Sequence, residues 1–357
     1  MLVNVDFDAD AAVAAIEYAY EQGWSDGLPV VPPTEQLVGS FLAQTRRPAD
    51  EVVWHMEHLD RGCTVELAAI NAAMAGCRPE YFPLVLAALE ATVDEGSPGI
   101  GAWQSTTGGT PFLVVNGPAR EQFGFNSRGS VFGPGFRPNA TIGRALRLII
   151  MNAYGVRPHE LDQATQSTPG KLTLCIAENE EDSPWEPLHV ELGFEASSSV
   201  VSALHIRSCD YLDNRQTGDP VHVLNDLVDT ISRTGVMRFH ENCVCVVIGP
   251  EHASLLAGHG YGKREVKAYI AEHAGRSYRD LEQVGKDALE NVRGWSRAST
   301  AEERTGRDPD EVVRTVSSPD DVMLVVAGAP NAAVSTVVQP FGTRRRKLPG
   351  RAVVEDR

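Results

Sequence analysis

The strongest constraint on this chain is a joint that recurs along it. FLVVNGP (112–118), VCVVIGP (244–250) and MLVVAGAP (323–330) each run through apolar, largely β-branched residues and stop at glycine, with proline at or beside a helix start. A short unbroken apolar run is the pattern of a strand covered on both faces, and glycine with proline punctuates it. Further strands are predicted over 171–177, 198–206 and 334–341. Between them lie helical stretches: 9–22, 35–43 behind Thr34, 65–75 behind Thr64, 79–95 with Pro79 in its first turn, an apolar helix opened by Asn139, then 220–235, 251–258 and 262–274. Alternation of this kind predicts an α/β fold with a mostly parallel or mixed sheet covered by helices.

Three regions follow. Residues 1–100 are expected as a helical N-terminal subdomain, 101–343 as the α/β domain with a polar excursion at 286–320, and 344–357 as a basic C-terminal tail carrying Arg344–Lys347. Acidic residues outnumber basic ones 48 to 32, for a net charge of -16. That field repels nucleic acid and anionic lipid, and one short basic run does not offset it. The N-terminal MLVNVDFDADAAV lacks the features of a signal peptide, and no apolar stretch approaches the ~18 residues of a membrane helix. Six cysteines without a C-x-x-C fit reduced thiols. The expectation is a soluble cytoplasmic protein, bound neither to nucleic acid nor to membrane, whose oligomeric state is open, a homo-oligomer included.

Two constellations could carry chemistry. The first is the glycine-rich loop over 124–143. Arg128, Arg137 and Arg144 bring positive charge, Arg120 stands just upstream, and Asn126 and Asn139 offer amides; guanidinium groups hold carboxylate or phosphate with paired hydrogen bonds. A helix opened by Asn139 adds free N–H groups. The spacing is neither a dinucleotide fingerprint nor a phosphate loop, so the loop is either an anion cradle or a surface loop with incidental arginines. The second is the acidic segment CIAENEEDSPWEPLHVE (175–191) at the end of a predicted strand. Cys175, Glu178, Glu180 and His189 could do acid–base work there, if the prolines fold the loop back to set a carboxylate against His189. The same groups suit a divalent metal, although their spacing matches no metal motif; the cofactor stays unspecified.

Other residues have bland and sharp readings side by side. His252 in the first turn of a helix is either a satisfied buried imidazole or a neutral base. His55 and His58 with Cys63 are a polar surface or an incomplete zinc site. Cys243 and Cys245 are core residues or a redox pair, and Cys77 is a buried or a reactive thiol.

GWSDGLPVVPPT, AAINAAMAGCRPEYFPLVLAALEA, VVNGP, NATIGRALRL, CIAENEEDSPWEPLHVE and IGPEHA, spread over about residues 17–340, together resemble a bacterial family, largely uncharacterised, associated with the thiol/selenol proteins named for a UGSC motif. That resemblance would imply thiol chemistry, but this chain has no Cys-Gly-Ser-Cys; its nearest run is Arg207-Ser208-Cys209. Three functions therefore stand: a metabolic enzyme using acid–base chemistry, a lyase or hydrolase, on a carboxylated or otherwise anionic small molecule; a thiol-dependent redox enzyme using Cys175 or Cys77; and a non-catalytic protein that binds a small ligand.

Overall fold

Why the recurrent joint recurs is visible in the sheet. The computed structural model describes residues 9–94, 103–235, 242–288, 299–341 and 349–355. The N-terminal segment comprises α1 (Ala9–Glu21), α2 (Glu35–Leu42), an antiparallel ribbon of β1 (Val52–Met56) and β2 (Arg61–Thr64), then α3 (Val65–Met74) and α4 (Phe82–Val93). Thr34 and Thr64 each cap a helix through a side-chain oxygen that accepts an N–H of the first turn.

A first α/β unit follows: β3 (Thr110–Asn116), the short α5 (Ala119–Gln122), α6 (Arg137–Asn152), β4 (Cys175–Ala177), the short α7 (Leu188–Glu191) and β5 (Val200–Asp213). After α8 (Pro220–Ser232) a second unit repeats the plan. It consists of β6 (Val244–Ile248), α9 (Pro250–Gly258), α10 (Lys263–His273), a side ribbon of β7 (Gly275–Ser277) and β8 (Val312–Arg314) enclosing α11 (Tyr278–Gln283) and α12 (Ala301–Arg304), then β9 (Val322–Val326) and β10 (Val334–Pro340). In each unit the first strand pairs in parallel with the one after its helices and antiparallel with the next; β5 and β10 join the units in antiparallel. The seven-stranded sheet has the order β4-β3-β5-β10-β6-β9, with β11 (Gly350–Val353) also paired to β5. The fold is thus α/β with a mixed sheet. Its two edge strands meet at their C-terminal ends, where the Asn179 N–H donates to the Val326 carbonyl at 2.8 Å.

Side chains alternate across this sheet. Phe112, Val114, Ile176, Cys245, Val247, Met323 and Val325 share one inner core. Leu113, Val115, Cys175 and Ala177 pack outward with the N-terminal helices and α6, and Val244, Val246, Ile248, Val322, Leu324 and Val326 pack outward on the other helical layer. The expected N-terminal subdomain therefore carries a ribbon as well as helices and shares its core with the sheet.

Several boundaries differ from expectation. The strand expected over 171–177 shortens to Cys175–Ala177 because the Thr173 hydroxyl donates to the α6 carbonyls of Asn139 and Ala140, drawing the preceding residues to the helix. Cys175 thus opens its strand. The strand expected over 198–206 extends to Asp213 because β10 takes over its pairing from Ile206 onward. Part of the expected tail forms β11, while Arg344–Lys347 lie outside the described residues. No helix among the described residues is long and apolar enough to cross a membrane.

Candidate functional site

The C-terminal ends of β3 and β4 carry polar residues on the inner face, where the equivalent ends of β6 and β9 carry Val247, Val325 and Ala327. Asn116 is the last residue of β3, and Glu178 follows β4 directly. Both are fully buried. Glu178 Oε2 accepts from Asn116 Nδ2 at 2.6 Å and from the Leu188 N–H at 2.8 Å. Burial pushes the Glu178 carboxyl above its ordinary range, against the pull of Lys263 and these hydrogen bonds, and the nearby Glu180 pushes the same way as burial.

The Asn116 amide also donates to Glu180 Oε1 at 3.0 Å, so one side chain bridges the two carboxyl groups. That oxygen further accepts the Gly117 N–H at 2.8 Å and lies 2.9 Å from Arg120 Nε. Arg120, itself buried, donates to the Glu178 carbonyl at 2.7 Å and forks onto Glu181. Glu181 is held below the usual carboxylate range, chiefly by its bond from Arg120. Gly117 is required at this turn. Its φ is +79°, and a β-carbon would stand 2.1 Å from the Ser198 carbonyl.

His189 completes the cluster from α7. Its ring is buried, and Nε2 donates to the Ala196 carbonyl at 3.4 Å. Nδ1 has no hydrogen-bond partner among the described residues and lies 3.9 Å from Glu180 Oε1. The acidic loop does fold back. Its far end is pinned to the second unit: Trp185 Nε1 donates to the Tyr261 carbonyl, and Lys263 donates to the Glu186 carbonyl and pairs with Glu191 at 2.7 Å.

The structure gathers Arg120, Glu178, Glu180 and His189 but disperses the other candidates. Arg144 is spent on Asp26, with two bonds of 2.8 Å, and on the Leu28 and Pro29 carbonyls of the N-terminal connector. Arg137 donates to the Gly76 and Cys77 carbonyls. Asn139 is not a cap, because α6 starts two residues earlier; its amide instead joins the Asn126 backbone to the Cys175 carbonyl. Asn126 stitches its own loop through Gly129 and Arg128. The glycine-rich loop is therefore built on internal bonds, and only Arg128 reaches outward, 58% exposed and 3.7 Å from Asp182.

His252 stands apart. Ser335 Oγ accepts the Gly249 N–H and lies 2.8 Å from His252 Nδ1, so its hydroxyl donates to that nitrogen, while Nε2 donates to the Asn214 carbonyl. Both ring nitrogens are engaged, and burial lowers the imidazole below its ordinary range. Cys175 and Cys77 face the outer core, and burial raises both thiols, Cys77 to about 12. Cys63, Cys243 and Cys245 are likewise buried, and all six cysteines are free thiols. His55 contacts Asp60 and His58 contacts Gln104, so they do not converge with Cys63. Among the described residues no group of three or more His, Cys, Asp or Glu side chains is placed to hold a metal ion.

Sequence reasoning missed Asn116, Asn179 and Lys263. Asn116 had a signal: a lone polar residue closing an apolar strand, where the sister joint has Ile248. Asn179 is fully buried and donates to the Gly328 carbonyl and to Asp182, closing the seam between units. No family model and no curated protein matches the chain.

Proposed function

We propose that the chain is a small-molecule enzyme of the acid–base type, a lyase or hydrolase acting on a carboxylated or otherwise anionic substrate. One observation carries this reading: a buried imidazole whose Nδ1 has no hydrogen-bond partner among the described residues faces Glu180 at 3.9 Å, beside a second carboxyl that burial inclines to stay protonated. In this reading the Ala196 carbonyl, accepting from Nε2–H, holds the ring, His189 Nδ1 accepts the substrate proton, and Glu180 at 3.9 Å stabilises the charge the ring then carries. Glu178, whose carboxyl burial inclines toward the protonated form, is the group able to donate. Arg120 is a positioning residue, since its bonds hold Glu180 and the Glu178 backbone. Arg128, exposed and only loosely paired with Asp182 at 3.7 Å, is the group able to swing onto a substrate anion. The thiol alternative is less favoured, because the raised pKa of Cys77 and Cys175 opposes thiolate formation.

The test is a screen in D2O. Purified protein is incubated with pooled small carboxylic acids and their esters and amides, and NMR follows deuterium uptake and product formation. Wild type is expected to exchange or convert at least one compound, with Glu180→Gln and His189→Gln slower by roughly 10²–10⁴-fold at a temperature where circular dichroism shows both variants folded. Variants as fast as wild type would remove the assignment. Loss of activity on alkylating the cysteines, with both variants active, would favour the thiol reading.

A further inference from the structure

At the opposite end of β3 and β4 from Glu178, a cavity of about 420 Å³ opens between α6 and the loop over 158–171. Its inner wall holds two cations and one carboxylate, all largely buried. Asp162 Oδ2 lies 3.3 Å from Arg147 Nη2 and 2.5 Å from Lys171 Nζ. The other carboxylate acting on Arg147 is Asp26, and it is already paired with Arg144. One positive charge is left over, in a chain whose net charge is -16. Arg147 donates to Asp162, and the described residues give its remaining N–H groups no partner. Lys171 also donates to Ser167 Oγ at 3.0 Å. The loop wall is held in place by the Thr165 and Thr168 N–H groups, which donate to the Thr106 and Gly108 carbonyls ahead of β3. Two lining residues, His159 and Ser167, adopt positive φ (68° and 82°) without being glycine.

We propose that this cavity is an oxyanion-binding site, separate from the carboxylate cluster, that takes the phosphate or carboxylate group of a small organic molecule. A planar guanidinium with spare N–H donors, an ammonium and a hydroxyl make a fit for such a group, and the ligand's charge offsets the uncompensated cation. The space exceeds what an inorganic ion fills and lies in the range of small-molecule pockets. Burial and the neighbouring Arg147 both disfavour the Lys171 ammonium, which an arriving anion would stabilise.

The test is calorimetric titration of the full chain with inorganic phosphate and, separately, with succinate, at fixed ionic strength in a chloride buffer. One of the two is expected to bind saturably with one site. Phosphate alone would assign a phosphate group, and succinate alone a carboxylate. Lys171→Gln is expected to weaken that binding about tenfold or more. Gln166→Glu, at the exposed rim of the same cavity, keeps the inner wall and the fold but adds a repelling charge, and should weaken it about threefold or more. Failure of both probes to saturate by about 10 mM, or unchanged affinity in Gln166→Glu and in a folded Lys171→Gln, would overturn the proposal.

Discussion

The two α/β units share a plan and differ in chemistry. In both, a strand runs into glycine and proline, helices follow, and the glycine is pressed against the strand that comes back: a β-carbon on Gly117 would meet the Ser198 carbonyl at 2.1 Å, and one on Gly249 the Val334 carbonyl at 2.1 Å. In both, a serine accepts a joint N–H where the chain returns: Ser199, just ahead of β5, from Ala119, and Ser335, within β10, from Gly249. The difference is one of register. Phe112 and Val114 face the inner core, so Asn116 is on the inner side, whereas Val244, Val246 and Ile248 face outward. A shift of one residue along a strand exchanges its faces. The same joint therefore delivers an amide to the inner seam in the first unit and an isoleucine to a helical layer in the second. Repeating a backbone plan does not repeat a site; the face on which the last side chain falls decides which unit can hold one.

The largest effect expected from this contrast is at the second residue after each proline. Arg120 is tied to Glu180, Glu181 and the Glu178 carbonyl, while His252 makes two ordinary hydrogen bonds. Arg120→Met leaves a largely buried carboxylate unpaired, a loss of roughly 3–5 kcal/mol. His252→Leu forfeits hydrogen bonds worth about 1 kcal/mol each. Urea unfolding of the two variants measures the gap. Equal losses would mean that the ionic cluster is not what distinguishes the first unit.

Next come the glycines. Gly117→Ala and Gly249→Ala each force a methyl group into a backbone carbonyl, and a cost of about 3 kcal/mol is expected for both. Gly117→Ala should be the worse of the two, because its φ of +79° also disfavours a side chain. A drop in thermal midpoint for one variant alone would show that the two joints are not built alike.

The parts of this design that the sequence shows are the local ones. The repeated joint marks the strands, and Thr34 and Thr64 mark their helices, because each signal lies within a few residues of its effect. Glu178, Glu180 and His189 were within reach for the same reason, as was Arg120 at the start of its helix. The fates of Arg137 and Arg144 were not. Their partners lie 60 to 61 and 115 to 118 residues away in the chain, on the N-terminal connector and the end of α3. A guanidinium that serves as internal scaffolding looks the same in sequence as one that awaits a ligand. The Asn139 amide does not cap α6 because the helix already begins at Arg137, with Pro138 in its first turn, which frees that side chain to bridge Asn126 and Cys175.

The smallest expected effect is also the one that separates the units by sign. Burial raises Glu178 above its ordinary 4.5 and lowers His252 below its ordinary 6.5. For Glu178 the folded chain keeps a proton that the unfolded chain has released, so its contribution is intact below pH 4.5 and is lost as pH rises from there through the raised folded value. For His252 the unfolded chain binds a proton that the folded chain refuses, so its contribution is intact above pH 6.5 and is lost as pH falls from there through the depressed folded value. Each slope is limited to about 1.4 kcal/mol per pH unit, and between the two ordinary values the slopes oppose each other, so the wild-type curve conceals both. Thermal midpoints of Glu178→Gln and His252→Gln from pH 4 to pH 8, each taken relative to wild type, uncover them. The first difference should change above pH 4.5, rising toward greater relative stability for the variant, since glutamine cannot ionise. The second should change below pH 6.5 in the same favourable sense for its variant, since glutamine cannot take up the proton. Differences independent of pH in both variants would mean that neither buried group changes its proton affinity on folding, and the opposition between the two units would then rest on geometry alone.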